Sequence, residues 1–283
     1  MNSASHNSII DIVGRIQDYV LDAEAADDAV ARIADLLDSD KALMVRLAPD
    51  RRRDMTLGRH GFERELIDGI LSRRDDPDTF LAHDKHWEPG AIACDGDCLR
   101  SEAMRRKTPL YRELLLPNDI EHTLLGIIDA DDAQHVLLWF HRDADHGPYS
   151  KADKKLLETL MPHWQRTIRQ KQEFDFQQSA LAASRLILDQ SPFGLYVMDL
   201  DGTVLFTNET ANQQTKAKAG IAMRTRSIVI SDRDVRSAYE GMLAAVRQGR
   251  KQDDPRLAPI SFDKKTGSGS YQLGMRRLKM PAR

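Results

Sequence analysis

Two histidines and two cysteines fall within sixteen residues, at His83, His86, Cys94 and Cys98. Imidazole nitrogen and thiolate sulfur are the donors a tetrahedral zinc ion takes, so these residue types suit a metal centre. Their order, His-x2-His, seven residues, then Cys-x3-Cys, is not that of a standard zinc finger, and no second half follows. Surface histidines beside two loop thiols explain the run better, and a redox-responsive Cys94–Cys98 pair is a further reading. The expectation is no metal centre, with these four residues as the alternative. Asp129, Asp131 and Asp132 bring three carboxylates together, but the Gly and Glu of a calcium-binding loop are missing and a hairpin turn accounts for them. His163, in Pro162-His163-Trp164-Gln165, loosely echoes a phospho-acceptor histidine. A histidine kinase would need a nucleotide-binding domain downstream with Asn- and Gly-rich motifs, and the chain has none, so a structural role is expected. No Ser-His-Asp order, phosphate-cradling glycine loop or paired-carboxylate motif stands out, and the expected class is not an enzyme.

Ligand contacts are a different matter. Trp87, Tyr111, His122 and Trp139 combine flat apolar walls with groups that orient a small molecule by hydrogen bonding. For any one of them, packing in an aromatic core is the plainer alternative. Tyr196, Phe206 and Asn208 are the corresponding positions further along the chain. Residues 191–283 hold no His and no Cys, which removes a histidine or thiolate haem ligand and the thiol of a flavin adduct. No cofactor is expected. A pocket in that part would take an organic molecule, or its core would be filled and used for dimerisation.

The elements that must position these residues follow from apolar periodicity. Ile9, Ile10, Ile12, Val13, Ile16 and Val20 fall near one helical face, and Val30, Ile33, Leu36 and Leu37 suggest a second. Lys41–Leu47 reads as a strand and His60–Ser72 as a helix. Residues 75–100 are rich in turn formers and read as irregular. A helical piece spans Thr108–Leu116, and His122–Ile128 and His135–His141 pair as strands. Strands beside helices over residues 1–148 make an α+β domain. Ser150 caps a long helix running to about Gln190, with Pro162 expected to kink or restart it. Leu157, Leu160, Trp164, Ile168, Phe174, Leu181 and Leu188 form an intermittent seam, interrupted by Lys171, Gln178 and Arg185, that offers a dimer contact. The last part, 191–283, opens with a hairpin around Asp201-Gly202 and an Asn208-capped helix. Short helices and a closing hairpin at 260–280 complete it.

Composition bounds the class. The 283 residues are 41% apolar and 30% charged, with net charge −3. No apolar run approaches the roughly 20 residues that span a bilayer, and no secretory pattern opens the chain. With two cysteines, a disulfide framework is not expected and a reducing cytoplasm is. Residues 1–202 carry a net −12 and residues 203–283 a net +9. The basic residues are scattered rather than clustered, so docking on the acidic part of the same chain is favoured over nucleic acid.

Phe193-Gly-Leu-Tyr-Val-Met-Asp-Leu-Asp-Gly-Thr-Val-Leu-Phe-Thr-Asn208 resembles the start of a PAS domain. Trp87-Glu-Pro-Gly90, Tyr111-Arg-Glu-Leu-Leu-Leu-Pro-Asn-Asp-Ile-Glu-His122, His141-Arg142, Gly147-Pro-Tyr-Ser150 and Leu156-Leu-Glu-Thr-Leu-Met-Pro-His163 resemble the N-terminal sensor of LuxR-type transcriptional regulators. That resemblance implies a GAF-like domain (1–148), a connecting signalling helix (149–190) and a PAS-like domain (191–283). It also implies a cytoplasmic homodimer that senses a signal in bacterial transcriptional control. The family's DNA-binding helices have no counterpart before Arg283, so DNA contact is carried onto no residue here. The alternatives are a reader-less protein that pairs with a full-length regulator, and a metal- or redox-responsive switch.

Overall fold

The computed structural model describes residues 3–50, 52–74, 88–94, 106–131, 134–217, 220–264 and 269–278. Trp87, His83, His86, Cys98 and Asp132 lie outside them. The chain divides into two compact units, Met1–Phe176 and Gln177–Arg283.

The first unit is α+β, built on a five-stranded antiparallel sheet. Its strands are β1 (Lys41–Leu47), β2 (Met55–His60), β3 (Ile92–Cys94), β4 (His122–Ala130) and β5 (His135–Arg142), in the order β2-β1-β5-β4-β3. One face is covered by α1 (Ser3–Asp18), α2 (Ala25–Leu36) and the first half of α4 (Lys151–Asp189). Helical spacing puts Ile12, Ile16, Ala26, Val30 and Ile33 inward, against Met44, Leu124, Leu138 and Phe140 of the strands. The opposite face carries α3 (Arg64–Ser72), whose Leu66, Ile67 and Ile70 pack with Leu43, Val45, Leu125, Ile127, Leu137 and Trp139. Because both faces are buried, the central runs of β1 (Ala42–Val45) and β5 (Val136–Phe140) are continuously apolar rather than alternating.

Two local expectations change. His60 ends strand β2 instead of opening a helix, and α3 begins at Arg64. Gly58 is needed in β2 because a Cβ there would stand 3.0 Å from the Ala26 backbone of α2. The helical piece expected over Thr108–Leu116 is present, with Pro109 and Leu110 leading into a π-turn, Tyr111–Leu115, and a short 3-10 turn through Asn118. Pro117 and the left-handed Asp119 (φ 55°) stop it. Helix α4 continues through Pro162, whose exposed ring forfeits a single backbone hydrogen bond. At its start Ser150 and Asp153 form a reciprocal cap, at 2.7 and 3.2 Å.

The second unit contains the end of α4, α5 (Glu209–Lys216), α6 (Arg233–Arg247) and six short strands. The strands are β6 (Tyr196–Met198), β7 (Val204–Thr207), β8 (Ile221–Arg224), β9 (Ser227–Ile230), β10 (Ile260–Asp263) and β11 (Ser270–Leu273). Among the described residues they pair as three two-stranded ribbons, with one further bridge at Thr203–Ser227. In the β6–β7 turn, Gly202 takes φ 82° and the Asp199 carboxylate accepts from the N–H groups of Asp201 and Thr203. The β8–β9 hairpin replaces an expected helical stretch. Its turn, Thr225-Arg226, puts both residues at positive φ (48° and 62°) without the Asn-Gly pair that would have signalled it.

Candidate functional site

Strand alternation brings together a polar row at one end of the sheet face that α3 covers. Register pairs Lys41 of β1 with His141 of β5, and His141 with Thr123 of β4. All three therefore share a face with Leu43, Trp139 and Leu125 in the next row. Thr123 Oγ1 and His141 Nδ1 are 3.0 Å apart, and the Phe62 ring meets the imidazole edge-on at 5.5 Å between centroids. His141 is 5% exposed, and its Nε2 is buried with no hydrogen-bond partner among the described residues. Burial, and secondarily the charge of Lys41, push its pKa down to about 3, so the ring is neutral at physiological pH. A neutral imidazole offers a donor at Nε2 where Thr123 Oγ1 donates to Nδ1, and an acceptor there where Nδ1–H donates to Thr123.

Beside this row a second polar group is closed on itself. The Tyr111 hydroxyl donates to the Glu121 carboxylate, which also receives Arg106 at 2.6 Å. The Glu121 N–H donates to the Arg142 carbonyl at 2.9 Å, extending the β4–β5 ladder by one residue.

The residues singled out from the sequence are not all brought together. Trp139 lies on the His141 face and is 2% exposed, and Tyr111 approaches through Glu121. His122 falls on the opposite face, in step with Leu124 and Gly126, where the Gly126 position faces Met161 and Leu157 of α4. Cys94 is half-buried in β3, packed with the core under α1 and α2. Asp131 is a turn residue that accepts from Gln134 N–H at 2.8 Å. His163 is half-buried inside α4.

In the second unit, Asn208 makes four hydrogen bonds. Its Oδ1 accepts from the N–H groups of Leu195 (2.8 Å) and Ala211 (3.0 Å), and its Nδ2 donates to the carbonyls of Leu188 (2.8 Å) and Phe193 (2.9 Å). A fully buried amide saturated in this way binds α5 to the end of α4. Tyr196 donates to the Ala211 carbonyl at 3.1 Å, and burial pushes its pKa up to about 12. The Arg185 guanidinium lies 5.7 Å from the centre of the Phe206 ring. An open groove of about 380 Å³ lies elsewhere in this unit, lined by residues including Asp254, Pro259, Met275 and Arg276.

Sequence reading missed His141, Thr123, Lys41 and Phe62 as one group. The signal available to it was alternation: once Trp139 is placed on one face, His141 two residues on must share it.

No protein-family model and no curated protein sequence matches the chain. Among solved structures, the ligand-binding domain of VqsR from Pseudomonas aeruginosa aligns at TM-score 0.47 and 14% identity, over 61% of this chain and 99% of that one. A GAF domain of an Acinetobacter phosphoenolpyruvate-protein phosphotransferase aligns at TM-score 0.37 and 14% identity, over 60% and 95%. The photosensory core of a Stigmatella aurantiaca phytochrome aligns at TM-score 0.39 and 11% identity, over 98% and 63%.

Proposed function

We propose that this chain is a non-catalytic sensory protein of bacterial transcriptional control. In this reading a GAF-like unit takes a small ligand on the α3-covered sheet face, and α4 carries the signal to a PAS-like unit in a homodimer of the LuxR-type regulator kind. The observation that carries it is the two-part character of α4. Its first half is built into the sensor core, with Leu157, Leu160, Met161, Trp164 and Ile168 buried. Its second half exposes Phe176 (71%), Leu181 (65%) and Ile187 (71%), in a stretch with no buried side chain. A helix fixed at one end in a ligand-responsive core, with an uncovered apolar stripe beyond it, is suited to reporting strain in the first as a shift of the second. His141 and Trp139 are the ligand contacts this reading favours, because Nε2 is a buried polar atom that a ligand would satisfy. Among the described residues no helix is long and apolar enough to cross a membrane.

Native mass spectrometry of the protein purified from its own host tests this reading, since one spectrum gives both oligomer and retained mass. A dimer with an added small-molecule mass that His141→Leu removes is the expected outcome. A monomer with no added mass would overturn it.

A further inference from the structure

We propose that Asp40, Asp143 and His146 form a binding site for a divalent cation of the zinc type. They come from two connections that the sheet brings side by side: the one leading from α2 into β1, and the one leading from β5 into α4. One ligand atom from each residue lies within 4.8 Å of the other two. His146 Nδ1 is 2.8 Å from Asp143 Oδ1 and 3.8 Å from Asp40 Oδ2. A tetrahedral or octahedral ion with bonds of about 2.1 Å holds its donors roughly 3 to 4 Å apart, so small rotations of three partly exposed side chains would admit one.

Charge and chemistry point the same way. Several other carboxylates of this unit meet guanidinium groups: Asp28 with Arg32, Asp54 with Arg74, Glu121 with Arg106, Asp153 with Arg142. Asp40 and Asp143 meet no Lys or Arg within ion-pair reach among the described residues; their basic partner is the His146 imidazole. Asp38 adds to the negative potential at that ring. One imidazole with two carboxylates is a donor set for zinc and its neighbours, whereas magnesium prefers oxygen alone and keeps its water. The Asp143 carboxylate is already oriented by the N–H groups of Asp145 (2.9 Å) and His146 (3.0 Å), and Asp143 N–H reaches Asp40 at 3.4 Å.

The position also gives a bound ion something to do. The same two connections are already joined by Arg142 donating to the Leu37 carbonyl, and by Ser39 and Tyr149 hydroxyls 2.8 Å apart. A cation would add a further tie, four residues before the Ser150 cap of α4.

Competition with a chromogenic zinc chelator on the metal-free full chain tests the site. The variants are His146→Ala, Asp40→Asn and a quadruple change at His83, His86, Cys94 and Cys98. We expect zinc to bind the parent and the quadruple variant alike. His146→Ala and Asp40→Asn should each raise the dissociation constant at least tenfold, and excess magnesium should not compete. Both single changes are at partly exposed positions, and unchanged melting without zinc confirms folding. Zinc affinity unaltered in both single variants, or abolished in the quadruple variant, would overturn the proposal.

Discussion

His141 is a buried base whose proton affinity the fold suppresses, and that has a thermodynamic consequence. In the unfolded chain an imidazole takes up its proton near 6.5; in the folded chain burial moves this to about 3. Between those values only the unfolded chain binds the proton, so stability is complete above about pH 6.5 and falls as pH falls toward 3. The slope approaches about 1.4 kcal/mol per pH unit in that window. Urea unfolding at pH 7.5 and 5.5 should therefore show a loss about 1.4 kcal/mol larger in the parent than in His141→Leu. Equal losses in both proteins would mean that the buried ring is already protonated or hydrated. This residue also marks where the sequence stopped being legible. Trp139 and Tyr111 stand out by size and type, but His141 matters through its neighbours on β1 and β4, eighteen residues away and a hundred. The Asp40–Asp143–His146 group is hidden for the same reason, since pairing of β1 with β5 creates it.

At the scale of elements, long periodic segments were legible and short ones were not. Lys41–Leu47 and the long helix follow from pattern alone, and the Asn208 and Ser150 caps from residue type. β3, a three-residue strand, and the β8–β9 hairpin, with its Thr-Arg turn, carry no local signal and exist because a neighbour pairs with them. The α4 seam was legible only in part. Leu157, Leu160, Trp164 and Ile168 are spent on the chain's own sheet. Downstream, Phe176, Ala180, Ala183 and Ile187 repeat at spacings of four, three and four, the rhythm of a coiled-coil stripe, and all four are exposed. The two alanines allow close helix approach, with Phe176 and Ile187 supplying most of the apolar area. In the homodimer proposed above, replacing either with Glu should remove about 2 kcal/mol of burial, raising the dissociation constant roughly thirtyfold. Sedimentation equilibrium of Phe176→Glu and Ile187→Glu reads this directly, with Gln177→Glu as the neighbouring control. A dimer unaffected by both changes would place its contact elsewhere.

At the scale of the whole molecule, the two units differ sharply in what holds each together. Among the described residues, thirty-seven buried apolar side chains belong to Met1–Phe176 and nine to Gln177–Arg283. The first unit closes two core clusters about a five-stranded sheet. The second has one small cluster around Met242, Ala245, Val246 and Leu257, with its strands in pairs. Buried apolar area is the main term opposing chain entropy, so the second unit is the weaker one. From Gln177 to Ile187 the side chains of α4 are all exposed. Unfolding should accordingly occur in two steps, the second unit first. The three tryptophans, Trp87, Trp139 and Trp164, all precede residue 177, so their fluorescence reports the first unit alone. Far-ultraviolet circular dichroism reports both. We expect the dichroism curve in urea to begin falling before the fluorescence moves, and to share its later transition. Superimposable curves would instead mean that the two units unfold as a single cooperative body, the exposed helix notwithstanding.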